Sequence, residues 1–208
     1  MKKTIISCVL FLTAVTAFSQ TPMKTAAEAK LSASDLAVKI ADRILATTTY
    51  EFKNTKTGKT YKSVKNLPLD MNVKVACKYN NWHYTNGVTH IALMELADKT
   101  GAKKYDDYVL KNMNFVFNEG NLDFFKKQYE QAMKNEGWYG VRKLSWHMIF
   151  RGKRLDDNGP MGASLIDLQM KHPNNSFLNY INETAEHLNY GEPRLADGTI
   201  ARIWPHEN

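Results

Sequence analysis

The chain has 208 residues, of which 43% are hydrophobic and 11% aromatic, so it can bury a substantial core and differs from disordered proteins. Its formal net charge is +7, but its basic residues do not alternate with aromatic residues along one face, which argues against nucleic-acid binding. The sequence also lacks a phosphate-binding glycine loop, a Gly-x-Ser-x-Gly motif, a His-Glu-x-x-His pair and a Cys-x-x-Cys pair.

The first 19 residues have the organisation of a secretory signal peptide. Lys2 and Lys3 precede the apolar run from Thr4 to Phe18, and small residues follow at the end of this run. The run is shorter than the roughly 17 to 25 residues that a membrane-spanning helix needs. We therefore expect residues 20–208 to form a single exported domain without a membrane anchor, in the periplasm or outside a bacterial cell.

Cysteine and histidine usage argues against covalent or metal cross-links. Removal of the signal peptide removes Cys8 and leaves Cys77 alone, so an internal disulfide is excluded. The six histidines do not follow a metal-ligand spacing. We predict neither a metal nor a cofactor, and expect the hydrophobic core to stabilise the domain.

Apolar residues at three- to four-residue spacing predict helices along most of the exported chain. The predicted helices span residues 26–46, 84–99, 105–117, 122–133, 159–170 and 176–188. A short β-ribbon is predicted around Tyr50–Phe52 and Thr60–Tyr61, and a loop or short strand at residues 191–208. The turn around Gly101 is so short that its two helices should be antiparallel, and Pro173 separates the last two helices sharply. The fold class predicted is all-α, built from helical hairpins.

Two adjacent carboxylates, Asp156 and Asp157, precede the predicted helix at residues 159–170. Their ordinary role at this position is to cap backbone N–H groups of the helix. The alternative is that one of them faces a cavity, since the small residues Gly159 and Gly162 allow close approach of another helix or a ligand.

An aromatic motif, residues 82–87, lies at the start of the second predicted helix. Its side chains either fill the core or form a sugar-binding platform, in which a ring packs on a pyranose while Asn86 and the Tyr84 hydroxyl bind sugar hydroxyls. Another aromatic-rich set lies on a predicted loop, where exposed rings often bind ligands: Trp138, Tyr139, Trp146 and His147.

Three motifs stand out in the exported chain: WHYTNGV at residues 82–88, RLDDNGPMGA at 154–163 and GTIARIWPH at 198–206. Together they resemble the unsaturated rhamnogalacturonyl hydrolases of glycoside hydrolase family 105, whose sister is the unsaturated glucuronyl hydrolase family 88. The resemblance implies an (α/α)6 barrel of twelve helices. Because the sequence predicts about half that number, we expect an incomplete barrel that corresponds to the amino-terminal half of the family fold.

The resemblance also implies an activity and a substrate. Enzymes of this kind protonate the C4–C5 double bond of an unsaturated uronate at the end of a pectin-derived oligosaccharide and add water at C5. One Asp is the acid and base, and a second carboxylate positions the substrate or tunes the pKa of the first. The acid/base Asp follows the Pro205-His206 motif in the family, beyond Asn208, so we expect this chain to be inactive by itself.

On this chain the resemblance makes Asp157 the second carboxylate, with Asp156 as the alternative. Arg202 is suited to bind the substrate carboxylate bidentately. The residues expected to bind the uronate and its neighbouring sugar are Trp82, Tyr84, Asn86, His147, Arg202 and His206. A second hypothesis is a non-catalytic helical protein that binds carbohydrate or joins an assembly, because half a barrel exposes apolar faces. The sequence predicts no particular oligomeric state.

Overall fold

The computed structural model describes residues 32–117, 120–144, 146–150 and 155–201, and at residues 155–157 it describes the backbone alone. The chain divides into two units, residues 1–37 and 38–208. The described part of the first unit contains the beginning of the first helix, and the rest of this section concerns the second unit. The predicted signal peptide and the candidates Arg202 and His206 lie outside the described residues.

Six α-helices contain most of the described residues, which confirms the all-α fold class. They are α1 (Ala33–Thr47), α2 (Tyr84–Thr100), α3 (Lys104–Phe117), α4 (Asn121–Val141), α5 (Leu155–Lys171) and α6 (Asn175–Glu186). A 3-10 helix at His147–Phe150 precedes α5, and a π-helical turn at His187–Gly191 follows α6. No helix in the described part of the chain is both long and apolar enough to cross a membrane.

Three helices differ in extent from their predictions. Helix α1 begins at Ala33, after the non-helical Ser32, whereas its predicted start was residue 26; residues 26–31 lie outside the described residues. Helix α5 begins at Leu155, four residues before the predicted start, and contains Pro160 in its second turn, although proline has no N–H to donate to the carbonyl oxygen four residues earlier. Helix α4 continues to Val141, beyond the predicted end at residue 133. It includes a kink at Gly137, whose φ of 58° is accessible to glycine without strain.

A small antiparallel sheet lies between α1 and α2 in the sequence. Its strands are β1 (Phe52–Asn54), β2 (Thr60–Tyr61) and β3 (Val73–Val75), in the order β2-β1-β3. Strands β1 and β2 confirm the predicted ribbon, whereas β3 was not predicted. Phe52, Val73 and Val75 are buried, so one face of the sheet belongs to the core.

Two helical hairpins form the main part of the fold. Helices α2 and α3 are joined by a turn at Gly101, whose N–H donates to the Ala97 carbonyl and whose φ is +68°. Helices α5 and α6 are joined at residues 172–174, where the Asn174 side chain caps α6 by accepting from Ser176 N–H. These hairpins are the predicted building blocks of an α/α barrel.

Helices α2 and α5 pack side by side and run in the same direction. The Gly87 backbone contacts α5 at Pro160 and Met161, and further along both helices Lys171 bonds to Asp98 at 2.7 Å. Because both contacts join residues 73 positions apart, the two helices advance together. Parallel α2 and α5, each followed by an antiparallel helix, have the relation expected of successive hairpins in an α/α barrel.

A buried polar pair lies between α2 and α3. His90 is 2% exposed, and its Nε2 lies 3.2 Å from the amide nitrogen of Asn112, which is also buried. Its Nδ1 has no partner among the described residues. Burial lowers the pKa of His90 from 6.5 to about 4, because the charged imidazolium would lose its hydration in the core.

We expect this histidine to make the stability of the fold pH-dependent. The unfolded chain protonates His90 below pH 6.5, whereas the folded protein does so only near pH 4, so the stabilisation is complete above pH 6.5 and decreases as the pH falls. The contribution should fall by about 2 kcal/mol between about pH 7 and about pH 5. Urea unfolding at several pH values measures it. His90→Gln keeps an acceptor for Asn112 without a titrating ring, and should flatten the pH dependence in this range; an unchanged slope would contradict the assignment.

Candidate functional site

The first two sequence motifs meet in the structure. The Trp82 indole N–H donates to the side-chain oxygen of Asn158 at 3.1 Å, across 76 residues of sequence, and both side chains are buried. One turn into α2, Gly87 contacts the α5 backbone so closely that an added Cβ would lie 2.6 Å from the Pro160 carbonyl oxygen. The start of α2 and the start of α5 are therefore fixed against each other.

The parallel packing of α2 and α5 shows which α2 residues lie beside the two aspartates along the helix axes. Contacts between the helices join residues that are 73 positions apart. The same offset places Asp156 level with His83 and Asp157 level with Tyr84. The paired aspartates and the aromatic motif thus lie at the same end of the helix pair, next to the Trp82–Asn158 bond.

Within α5, the helical register separates Asp156 from Asp157. Asp157 precedes the buried residues Ser164 and Leu168 by seven and eleven positions, which places it on the face that α5 buries. Asp156 shares its register with the exposed Gly159 and Ala163. The backbone therefore places the two carboxylate-bearing residues on different faces of the same helical turn.

Trp82 does not provide an exposed platform for a sugar in this structure. Its side chain is 0% exposed, and its ring makes an edge contact with Tyr180 at a centroid distance of 5.0 Å. Trp82 therefore fills the core, which is the first of the two interpretations of this motif, and does not form a sugar-binding platform. Its contribution to a binding site is therefore indirect, because it positions Asn158 at the start of α5.

Asn86 is also engaged within the protein. Its side chain is buried, and its amide nitrogen donates to the carbonyl oxygens of Lys78 at 3.0 Å and Asn81 at 2.8 Å. Both hydrogens of the amide group are therefore used to hold the segment before α2. A contact of Asn86 with sugar hydroxyls stays a prediction, and its side-chain oxygen is the atom left to make it.

We expect Asn86→Ala to destabilise the fold by about 1–3 kcal/mol, because two carbonyl oxygens would lose their donor in a partly buried place. Urea unfolding measures this loss. The control is Asn175→Ala, since Asn175 is exposed, and the expected change is within about 0.5 kcal/mol. Equal stability of the two variants would contradict the structural role of Asn86.

Tyr84 keeps the surface that a binding residue needs. It is 45% exposed at the first position of α2, and its ring lies on the His83 ring at a centroid distance of 4.6 Å. His83 is held in turn, because its Nδ1 accepts from Thr85 N–H and caps the helix. Tyr84 therefore remains a predicted sugar contact, supported by a second ring.

Asn81 connects the aromatic motif to the 3-10 helix that contains His147. Its side-chain oxygen accepts from Trp146 N–H at 2.9 Å, and this bond holds Trp146 at a φ of 63°, a strained conformation for a residue other than glycine. The next residue, His147, is half-buried, and its Nδ1 bonds to the Leu144 carbonyl at 2.9 Å. Sequence reasoning did not single out Asn81, because an asparagine in a polar loop carries no distinctive signal.

The remaining aromatic residues of the third set do not form one cluster. Trp146 is buried against Phe125 at a centroid distance of 6.0 Å, whereas Tyr139 is 72% exposed and lies beneath the Lys143 ammonium. Trp138 is half-buried and packs near a small second core. The structure therefore divides this set into a buried residue, Trp146, an exposed residue, Tyr139, and two half-buried residues, Trp138 and His147.

A groove between α2 and α5 lies towards the other end of the helices. Its volume is about 200 Å³, and it is lined by Ile91, Met94, Glu95, Asp98, Asp167, Met170 and Lys171. Asp98 and Asp106 form ion pairs with Lys171 at 2.7 and 3.2 Å. Since Asp167 follows Asp157 by ten residues, about 15 Å along the helix, this groove is separate from the paired-aspartate end.

The sequence matches the profile of Glycosyl Hydrolase Family 88 over residues 53–208, which is most of the chain. The chain belongs to this family, and its substrate is therefore a carbohydrate. This is the sister of the family that the motifs resemble, so the resemblance is confirmed at the level of family 88. No curated protein matches the chain.

Proposed function

We propose that this domain acts on oligosaccharides that end in an unsaturated uronate, with rhamnogalacturonan fragments as the first choice. In the proposed reaction the acid gives a proton to C4 and, as its conjugate base, takes a proton from the water whose oxygen adds at C5. The resulting hemiketal at C5 opens the ring, and the hemiacetal left at C1 then breaks and releases the neighbouring sugar. Membership of family 88 supports the substrate class. The observation that carries the proposal is the contact of α2 with α5, which brings Asp156 and Asp157 level with the aromatic motif.

In this proposal Asp157 is the second carboxylate, which positions the substrate or raises the pKa of the acid. Its backbone register, seven and eleven positions before the buried Ser164 and Leu168, supports this choice. Asp156 is the alternative. Tyr84 and His147 contact the sugars, and Arg202 and His206, outside the described residues, bind the uronate carboxylate.

The proposal includes low turnover by the 208-residue chain alone. In the family that the motifs resemble, the acid/base Asp follows the Pro205-His206 motif. It also includes export, as the signal-like residues 1–19 predict. Binding is therefore the primary measurement for this chain, and turnover is the second.

The test compares binding of three disaccharides by calorimetry: unsaturated rhamnogalacturonan disaccharide, the same disaccharide with a saturated uronate, and an unsaturated glucuronyl disaccharide. We expect the first to bind most tightly and the saturated one most weakly. Equal binding of the saturated and unsaturated forms would overturn the proposal. Preference for the glucuronyl disaccharide would retain the reaction but reject rhamnogalacturonan as substrate.

Turnover is followed through the ultraviolet absorbance of the unsaturated bond, which hydration removes. We expect the 208-residue chain to leave this absorbance almost unchanged during prolonged incubation. Rapid loss of absorbance would contradict the assignment of roles, because the acid would then lie among these residues, with Asp156 and Asp157 as the first positions to replace.

A further inference from the structure

Basic residues are concentrated in the segment that contains the sheet. Residues 51–78 contain seven lysines and two acidic residues, Glu51 and Asp70. The whole chain has a formal charge of +7, so this segment carries a large part of the excess. The lysines, which we call the sheet lysines, are Lys53, Lys56, Lys59, Lys62, Lys65, Lys74 and Lys78.

The sheet fixes two of these lysines side by side. Lys53 on β1 and Lys74 on β3 are directly paired in the antiparallel register, and Lys53 is also paired with Thr60 on β2. The neighbouring Phe52 and Val73 are buried, so the lysine row lies on the opposite, outer face. Like charges directly opposite each other are destabilising, and neither lysine has an ion pair within the described residues.

The turn that carries the next lysines is well fixed. The Asn54 side-chain oxygen accepts from the N–H groups of Lys56 and Thr57, both at 3.0 Å, and its amide donates to Asp70 at 2.9 Å. Asp70 also accepts from the backbone and side chain of Asn72, and these hydrogen bonds lower the pKa of its carboxyl group. The carboxylate is therefore engaged in holding the turn, and the sheet lysines remain in positive excess.

Protection against edge-to-edge association does not account for this arrangement. Lysines on edge strands discourage pairing with another sheet, but Lys53 lies on β1, which is the central strand. One lysine also lies beside a half-exposed ring, since the Lys78 ammonium is 4.9 Å from the Tyr79 ring centroid. An ammonium group next to an accessible ring suits a ligand with both carboxylates and apolar C–H surfaces.

We infer that the outer face of the sheet binds a carboxylated polysaccharide chain, such as a run of galacturonate residues, through the sheet lysines. The choice of a carbohydrate among polyanions rests on the proposed function. Strand β3 leads through residues 76–83 directly into the start of α2, so the surface is connected to the candidate site by a short segment. A polymer held there raises the local concentration of its own chain ends near the site.

The test measures binding of a fluorescein-labelled galacturonate decamer by anisotropy, with the fully methyl-esterified decamer as the uncharged comparison. Lys53→Gln/Lys74→Gln removes the paired charges, and Lys99→Gln/Lys103→Gln removes the same net charge from the end of α2 and its following turn. We expect binding of the charged decamer to weaken about tenfold in the first variant and less than about twofold in the second. Binding should also weaken as salt is added.

Stability and ligand comparisons make this result specific. The urea midpoint of Lys53→Gln/Lys74→Gln should equal or exceed that of the original protein, because a repulsion is removed, so weaker binding cannot be attributed to unfolding. Equal weakening by both double variants, or equal binding of the esterified decamer, would overturn the inference. Tighter binding of a single-stranded DNA of the same charge, or of phosphatidylserine vesicles, would also overturn it. Disaccharide binding is measured alongside; if it persists while the decamer fails to bind, this inference fails and the proposed function stands.

Discussion

Gly87→Ala is expected to destabilise the protein by about 2–4 kcal/mol, because the α2–α5 contact has no room for a methyl group. A Cβ at this position would meet the backbone of Pro160 and Met161, and backbone cannot rotate aside as a flexible side chain can. The helices would have to separate along their contact. Urea unfolding, with the slope and midpoint fitted together, measures the loss.

Gly162→Ala provides the matched control on α5. Its Cβ would lie 3.9 Å from a methyl group of Thr184, an ordinary contact, and alanine favours the helix by up to about 1 kcal/mol over glycine. We therefore expect opposite signs for the same chemical change at two positions of one helix pair. A Gly87→Ala variant as stable as Gly162→Ala would mean that α2 and α5 do not approach as described.

Trp82→Phe is expected to cost about 2–4 kcal/mol. The change leaves a gap in the core and removes the donor that the buried Asn158 oxygen accepts from. Replacing both partners, as Trp82→Phe/Asn158→Leu, should cost less than the sum of the single changes, with a coupling of about 1–2 kcal/mol. Urea unfolding of the four proteins gives this coupling directly.

Trp146→Phe separates the hydrogen bond from the volume change. Trp146 is as deeply buried as Trp82, but its indole N–H has no acceptor among the described residues. Its replacement should therefore be less costly than that of Trp82, and it should not couple to Asn158→Leu. Additive effects of Trp82→Phe and Asn158→Leu would show that the bond between the two motifs does not contribute to stability.

The helices could be predicted from sequence because their apolar residues repeat at helical spacing over several turns, as in α2 and α3. Strand β3 could not, since Val73–Val75 alternates over three residues only and forms through pairing with β1. The start of α5 was placed too late because a proline is favoured in the first turn of a helix, whereas Pro160 lies in the second turn.

The candidate site was predictable in its parts but not in the role of each side chain. The motifs at residues 82–88 and 154–163 do meet, which sequence order alone does not require. Whether a tryptophan is exposed or buried depends on contacts with distant residues, here Asn158 and Tyr180, and these are not encoded in local spacing. Asn86 likewise bonds to backbone carbonyls that only the folded loop brings to it.

The helical register of α5 distinguishes the two aspartates, which the sequence left as alternatives. Both alternatives, capping of the helix and participation in a site, concern the first turn of α5, and the described backbone places Asp156 and Asp157 on different faces of that turn. One residue on the exposed face and one on the buried face are expected to differ in their effect on binding. The buried-face residue, Asp157, is the one that we propose to act on the substrate.

The most direct test is the dissociation constant of the unsaturated rhamnogalacturonan disaccharide for four proteins: the original chain, Asp156→Asn, Asp157→Asn and Asp167→Asn. Asp167 lies on the same helix, ten residues after Asp157, where it lines the α2–α5 groove, and it serves as the control. We predict at least about tenfold weaker binding for Asp157→Asn, a smaller loss for Asp156→Asn and no change for Asp167→Asn. Unchanged binding in both variants of the aspartate pair would contradict a carbohydrate site at the start of α5.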